Sequence, residues 1–244
     1  MPSMKEPKLK TVYVCSNCGE TSPRWMGRCP SCGSWNTMHE DVVAEAPKAG
    51  SPAAKAAPRQ EGVTSLTARR LADISTTEEK SRIVTGITEL DRVLGGGIVL
   101  GGVVLLSGEP GVGKSTMLLQ LCGAISDRYT VLYITGEESV RQVKLRAARL
   151  DLPQDNIYLA AENDVDEICG LIEKEKPDLV VIDSIQTMRC ADISSSSGTV
   201  SQVKESTARL LAVAKKQEIP MFLVGHVNKD GAIAGPKVME HIVD

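Results

Sequence analysis

A glycine-rich segment, GEPGVGKS at positions 108–115, places the strongest constraint on how this 244-residue chain can fold. It fits the pattern G-x-x-x-x-G-K-[ST] at every required position, and it lies between an apolar run and a helix-like stretch. Glycines let the backbone curl so that its N–H groups face phosphates, and the N-terminus of a helix adds positive potential. The segment therefore predicts a P-loop between a strand and a helix, rather than a turn with an ordinary surface lysine.

The residue types in this loop suit the phosphates of a nucleotide and an accompanying Mg²⁺ ion. We expect Lys114 to reach the β- and γ-phosphates and the Ser115 hydroxyl to ligate Mg²⁺. Thr116 is compatible with the lining of the phosphate pocket. The expected nucleotide-binding residues of this segment are Gly108, Glu109, Pro110, Gly111, Val112, Gly113, Lys114, Ser115 and Thr116.

Short apolar runs alternate with helix-like stretches from residue 63 onward. Runs at 103–107, 131–135, 156–159, 179–182 and 221–224 are typical of buried strands, and stretches at 115–125, 139–150, 165–175 and 203–217 are typical of helices. This alternation predicts βαβ units. The expected fold class is α/β, with a mostly parallel sheet covered by helices on both faces.

Polar residues follow three of these predicted strands at what should be one edge of the sheet. Asp183 ends an apolar strand, and we expect it to hold the Mg²⁺ shell, although it could instead cap the next turn. We choose Glu137 as the residue that orients or activates water, with Glu138 as its rival. Both glutamates could simply favour the N-terminus of the following helix. His226 could contact the γ-phosphate, but a lone histidine is usually structural.

Four of the seven cysteines form two C-x-x-C pairs, Cys15 with Cys18 and Cys29 with Cys32, and a glycine follows each pair. Four thiolates would close a tetrahedron around a structural Zn²⁺ and leave no position open for a substrate. Redox thiols or an iron site are the alternatives. The pattern predicts a small zinc module over residues 11–39, which is too short to form a hydrophobic core of its own.

The zinc module also contains Trp25 and Trp35, with Arg24 and Arg28 beside them. Aromatic rings and arginines could offer stacking and charge to nucleic acid. They could equally pack around the metal site or against the nucleotide-binding domain. The sequence leaves both interpretations open.

Composition divides the chain and excludes some classes of protein. Residues 40–62 are typical of a flexible linker, because 46–58 holds three prolines and many alanines. The P-loop core is expected at 63–244. A formal net charge of −3 argues against a protein coated in positive charge for non-specific DNA binding, but not against a local basic groove. No long apolar run and no signal sequence are visible, so we expect a cytoplasmic protein without membrane contact.

Taken in this order, the motifs resemble those of the bacterial RadA (Sms) family over almost the whole chain outside the linker. The resemblance rests on the cysteine segment, on RIVTGITELDRVLGGGIVLGG at 82–102, and on the GEES, VVIDSIQT and GHVNKDGAIAGPK stretches. It implies a RecA-like P-loop NTPase core and a DNA-stimulated ATPase that forms rings on single-stranded or branched DNA. Such a protein would promote branch migration in recombinational repair, with a recombinase or a helicase as its expected protein partner.

The resemblance also assigns expected roles to loops. Residues 192–201 and 229–237 correspond to two DNA-facing loops, and Lys204, Lys229 and Lys237 become candidate phosphate contacts, unless they are solvated surface lysines. Members of the family continue with further strands, a K-N-R-F-G motif and a domain similar to the Lon protease, so we expect this chain to be cut short. An ATP-binding regulator that uses the zinc module for protein partners is the alternative function, and a zinc-ribbon adaptor with a vestigial P-loop is a weaker one.

Overall fold

A computed structural model describes residues 9–15, 20–31, 33–44, 70, 82–226 and 239–244. In the N-terminal part, β1 (Leu9–Cys15) pairs antiparallel with β2 (Thr21–Ser22) and with β3 (Met38–Ala44). The β1–β3 register runs from Leu9 opposite Ala44 to Cys15 opposite Met38. Strand structure thus begins two residues before the predicted 11–39 module and continues to Ala44, within the predicted linker. Val42 and Val43 in this part of the linker favour an extended backbone.

A short antiparallel pair leads into the core. It consists of β4 (Arg82–Ile83) and β5 (Ile98–Val99), with helix α1 (Thr88–Val93) between them. The Arg82 guanidinium donates to the carbonyls of Leu94 and Gly97 at 2.7 and 2.9 Å, which closes the loop between the two strands. Gly97 has φ +130°, and a Cβ there would lie 2.7 Å from the Ile83 carbonyl oxygen, so only glycine fits.

Five parallel strands form the central sheet, in the order β6-β10-β9-β7-β8. In chain order the elements are β6 (Val103–Gly108), α2 (Lys114–Ile125), β7 (Val131–Thr135), α3 (Val140–Arg149), β8 (Ile157–Ala161), α4 (Val165–Glu175), β9 (Leu179–Asp183), α5 (Val200–Gln217) and β10 (Met221–His226). The predicted α/β class with a mostly parallel sheet is confirmed. Short 3₁₀ turns follow at Ile185–Thr187 and Met239–His241.

Helices cover both faces of this sheet, because alternate side chains of each buried strand point to opposite sides. On one face, Tyr133 and Val181 pack with α2 and α3 in a cluster that also contains Leu118. On the other face, Ile134 and Ile182 pack with helices α4 and α5. Strands buried on both sides read as continuous apolar runs, which is the pattern in the sequence. Among the described residues, no helix is both long enough and apolar enough to cross a membrane.

Candidate functional site

The P-loop joins β6 to α2 at the carboxyl edge of the sheet. Two of its glycines adopt left-handed backbone conformations, with φ +83° at Gly111 and +95° at Gly113. A Cβ at either position would meet no atom within 4 Å, so this side of the loop is open. The loop therefore forms a backbone concavity at the N-terminus of a 12-residue helix, a geometry that suits an anion.

Lys114 is the first residue of α2 and is almost fully buried, with 7% of its surface exposed. Its Nζ donates to the carbonyl oxygens of Gly108 and Glu109, both at 2.8 Å. Burial lowers the pKa of the Lys114 ammonium, while the charges of Asp183 and Glu137 oppose that shift. The lysine is thus held under the loop and close to both predicted acidic residues.

A cleft of about 320 Å³ opens in front of this lysine. Its lining residues are Pro110, Gly111, Gly113, Lys114, Ser115, Thr116, Glu137, Glu138, Arg146 and His226. Of the other predicted site residues, Gly108 and Glu109 hold the lysine through their carbonyls, and Val112 is exposed on the outside of the loop. Asp183 is 8% exposed and lies close enough to Lys114 to influence its charge.

A larger cavity, of about 580 Å³, lies near the amino ends of the strands and is lined by residues such as Ile83, Asp178 and Ile219. Ligands of open α/β sheets bind beyond the carboxyl ends of the strands. We therefore place the functional site in the smaller cleft.

Tyr133 holds Asp183 from the neighbouring strand. Thr135 of β7 is paired with Asp183 of β9. Tyr133 is two residues before Thr135 on β7, so its side chain lies on the same face of the sheet as that of Asp183. The Tyr133 hydroxyl donates a hydrogen bond to Asp183 Oδ2. Burial, the Asp183 charge and this hydrogen bond raise the pKa of Tyr133, so the hydroxyl keeps its proton. Sequence reasoning missed this contact because it depends on β7 lying beside β9.

Replacing Tyr133 with phenylalanine should lower the free energy of unfolding by about 1.5–3 kcal/mol, because a hydrogen bond to a buried charged group is lost. Urea unfolding of the Tyr133→Phe variant measures this change. Tyr158→Phe is the matched control, since Tyr158 is 57% exposed on β8 and should tolerate the change. Equal stability of both variants would show that the hydroxyl contributes nothing to the fold.

Glu137 joins the ends of three strands. Glu137 follows β7 in the chain. Its Oε1 accepts a hydrogen bond from the hydroxyl of Ser184, the residue directly after β9. The same oxygen lies 3.1 Å from Nε2 of His226, the last residue of β10. Glu137 and His226, which were predicted separately, are thus direct neighbours. Ser184, which was not predicted, is fully buried and links Glu137 to the Asp183 strand.

Glu138 points toward α3 and forms an ion pair with Arg146. Its backbone N–H donates to the Thr135 hydroxyl at 3.0 Å, which fixes the turn after β7. Within the described part of the chain, the second carboxylate oxygen of Glu138 and Nδ1 of His226 are buried without a hydrogen-bond partner. Both atoms belong to residues that line the cleft, so the cleft offers polar groups to a ligand or to water.

Gly136, directly before Glu137 and Glu138, allows the side chains of neighbouring loops to approach the backbone closely. Its N–H donates to the Asp183 carbonyl at 2.8 Å. A Cβ at this position would lie 2.1 Å from Thr187 Oγ1, 2.8 Å from Met188 Cε and 3.0 Å from Asn163 Oδ1. A side chain at residue 136 would therefore force the ends of these three side chains to move, and with them the packing of the 3₁₀ turn against the β7–α3 connection.

Gly136→Ala should cost about 1–3 kcal/mol of stability, as overpacking does, and displace the turn that carries Ser184. Thermal unfolding together with nucleotide binding measures both effects. The matched control is Gly170→Ala in helix α4, where a Cβ meets nothing within 4 Å and should stabilise the helix by about 0.5–1 kcal/mol. A Gly136→Ala protein as stable as the control would contradict the packing argument.

The two described cysteines of the predicted metal site have matching surroundings. The backbone N–H of Cys15 donates to the Glu20 carbonyl at 2.9 Å, and that of Cys29 donates to the Ser34 carbonyl at 2.8 Å. Both thiols are buried in one cluster with Met38. Two similar turns that bring thiols to one place suit the donor set of a tetrahedral metal site. Cys18 and Cys32 lie outside the described residues.

The first predicted DNA-facing loop is anchored to α5. Gln202 is buried, accepts from the Cys190 N–H at 2.8 Å, and donates to the carbonyls of Ile193 and Ser195 at 3.0 and 2.9 Å. Arg209 forms ion pairs with Asp192 at the start of the loop, and with Asp166 and Glu205. Lys204 lies exposed on α5, whereas the second loop, 229–237 with Lys229 and Lys237, lies outside the described residues.

Comparison with known structures adds to the assignment of the fold. A KaiC-like protein from Pyrococcus horikoshii OT3 superimposes with a TM-score of 0.55 at 21% identity, covering 66% of this chain and 77% of that one. This likeness concerns the fold alone. A family model of the AAA domain matches residues 67–232, and a model of the rubredoxin metal binding domain matches residues 13–40, which include both C-x-x-C pairs.

Curated relatives match along nearly the whole chain. The DNA repair protein RadA of Bacillus subtilis is 46% identical over 242 residues, covering 97% of this chain and 51% of the relative. RadA of Pseudomonas aeruginosa is 48% identical over 237 residues, and RadA of Escherichia coli is 46% identical over 236 residues. The chain spans about half the length of these relatives. With an N-terminal ribbon domain ahead of an AAA domain, and with these relatives, the chain belongs to the bacterial RadA family.

Proposed function

We propose that this chain is the ATPase part of a DNA-dependent motor that acts in recombinational DNA repair. The observation that carries the proposal is the convergence of Lys114, Glu137 and His226 on one cleft, with Asp183 directly behind it. A lysine, hydroxyls, a helix N-terminus and carboxylates are the groups that phosphoryl transfer to water requires.

Each residue has a distinct task in this proposal. The open backbone of the P-loop cradles the β- and γ-phosphates, and Lys114 leaves its two carbonyl partners to pair with them. Ser115 and Asp183 would hold Mg²⁺, which neutralises charge on the phosphates. Tyr133 keeps the Asp183 carboxylate in place for that role. We assign ATP as the nucleotide from the family, because a P-loop contacts only the phosphates and does not distinguish one base from another.

Glu137 is the better candidate for orienting the attacking water. The Glu137 carboxylate contacts the Ser184 hydroxyl and the His226 ring. The Glu138 carboxylate is instead paired with the Arg146 guanidinium. The Arg146 guanidinium thus occupies one oxygen of the Glu138 carboxylate and holds that side chain toward helix α3. We therefore assign Glu138 and Arg146 to shaping the cleft and Glu137 to the water.

His226 connects the site to the residues beyond β10. Its Nε2 faces Glu137, and its Nδ1 is buried without a partner in the described structure. A γ-phosphate that enters the cleft would change the contacts of His226, and β10 would pass that change to the segment that contains 229–237. This is the proposed route from ATP to the second DNA-facing loop.

DNA is the proposed partner, since the curated relatives carry the name DNA repair protein. The loop at 192–201 follows Ser184 and the 3₁₀ turn, so it is linked by a short chain to Glu137. Lys204, Lys229 and Lys237 are the proposed phosphate contacts. Assembly into a ring, branch migration and a recombinase or helicase partner belong to the same proposal, as functions of the longer family members.

The metal of the N-terminal module is proposed to be Zn²⁺, held by Cys15, Cys18, Cys29 and Cys32. The repeated backbone turns at the two described cysteines support this donor set. A closed set of four thiolates gives the metal a structural role. The metal content of the purified protein should be one zinc per chain, and an equivalent amount of iron would contradict the proposal.

ATP turnover by the 244-residue chain, with and without single-stranded DNA, tests the proposed function. We expect DNA to raise the rate. Nucleotide binding with turnover that DNA does not change would instead favour an ATP-binding regulator. If ATP does not bind at all, the assignment of the cleft is wrong.

A further inference from the structure

Both tryptophans of the chain, Trp25 and Trp35, lie in the N-terminal module and are exposed to solvent. The exposed fraction is 56% for Trp25 and 70% for Trp35. The buried cluster of this module contains Cys15, Cys29 and Met38 and includes neither indole. Two large exposed aromatic rings in a module of this size indicate a surface that contacts a partner.

An arginine already stacks on one of these rings. Arg28 and Trp35 face each other as an antiparallel pair, and the Arg28 guanidinium lies 5.8 Å from the centre of the Trp35 ring. Arg28 Nε also donates to the Gly33 carbonyl at 3.0 Å, which fixes its orientation. The ring of Trp25 lies against Gly27, whose carbonyl accepts from the Asn36 N–H at 2.8 Å. Both indoles therefore flank one short two-stranded segment.

The charges around these rings favour an anionic partner. Residues 21–38, which carry both rings, contain Arg24 and Arg28 and no aspartate or glutamate, and the acidic residues Glu20 and Glu40 lie just outside the two ends of this segment. Arg24, Arg28 and Asn36 are all exposed. Two guanidinium groups and an amide beside the rings give this surface positive charge and hydrogen-bond donors, which suit a phosphate backbone next to stacked bases.

We propose that Trp25, Arg28 and Trp35 form a stacking surface for the bases of single-stranded DNA, in addition to the contacts proposed for the ATPase domain. Unpaired bases stack on aromatic rings, while arginine contacts the phosphates or stacks on a base. Every base has a face that can stack, so binding at this surface is independent of sequence. The inference rests on the proposed function, in which single-stranded DNA is the partner.

The chain offers a direct spectroscopic test, because its only two tryptophans are those of the surface. We expect an oligothymidylate to quench tryptophan emission of the full chain as it binds. Trp35→Ala should raise the Kd for a labelled oligothymidylate about tenfold, within the range measured when one stacking residue is removed. Trp35→Phe should restore most of the affinity, since phenylalanine also stacks.

Tyr158→Ala is the control, because Tyr158 is an equally exposed aromatic residue on the sheet edge, and its loss should leave the Kd unchanged. Zinc content and thermal unfolding show that each variant is folded. If the wild-type chain binds the oligonucleotide and Trp35→Ala binds it with the same Kd, the proposed stacking surface is wrong, whereas the proposed DNA-dependent ATPase is unaffected. If the wild-type chain binds no single-stranded DNA, the DNA part of the proposed function fails as well.

Discussion

Lys114→Ala should reduce ATP turnover by about 10³-fold, an effect comparable to the largest losses seen when one charge-stabilising donor is removed from an active site. Lys114 is the only lysine that lines the described cleft, and its ammonium is held beneath the P-loop by two carbonyl oxygens. Alanine has no group that can reach the phosphates. Steady-state phosphate release by wild-type and variant proteins measures the effect.

The control for this variant is Lys174→Ala, which removes an exposed lysine from helix α4 and should leave turnover unchanged. Zinc content should be the same in both variants, because the cysteine module is separate in sequence from the P-loop. Wild-type turnover by Lys114→Ala would show that the P-loop cleft is not the site of hydrolysis.

The sheet and its helices could be predicted because strands buried on both faces give continuous apolar runs. The run ending at Asp183 is an example, and β9 ends at that residue. The start of α5 was predicted three residues late, at 203 rather than Val200. The sequence does contain a pattern that marks the start of this helix, the T-x-x-Q segment 199–202. In the structure the Thr199 side chain caps the helix by accepting a hydrogen bond from the Gln202 N–H.

Contacts between strands could not be predicted, because they depend on strand order. Tyr133 reaches Asp183 only because β7 lies beside β9, although β8 separates the two strands along the chain. The close approach at Gly136 depends in the same way on how the turn after β9 packs. The P-loop required no such knowledge, since its function resides in consecutive residues.

The choice between Glu137 and Glu138 shows how the structure extends what the sequence could say. The two residues are neighbours in a GEES stretch, and both follow the same strand. In the fold they diverge, since Glu137 faces Ser184 and His226 while Glu138 pairs with Arg146. Two chemically identical changes at adjacent positions should therefore have different results.

Glu137→Gln should lower turnover by about 10²-fold or more, the range expected when a general base is lost, because an amide cannot accept a proton from water. Binding of a fluorescent ATP analogue should stay within about twofold of wild type, since the loss concerns the transition state rather than ground-state binding. Single-turnover kinetics and equilibrium binding separate the two quantities.

Glu138→Gln is the matched comparison, with the same change in charge and shape one residue away. It weakens the pair with Arg146, which lines the cleft, so it should act mainly on nucleotide affinity and reduce turnover by less than about tenfold. A larger loss of turnover in Glu138→Gln than in Glu137→Gln would reverse the assignment. The contact between Glu137 and His226 would then be structural, and the Glu138 oxygen that has no partner in the described structure would be the one that accepts the proton.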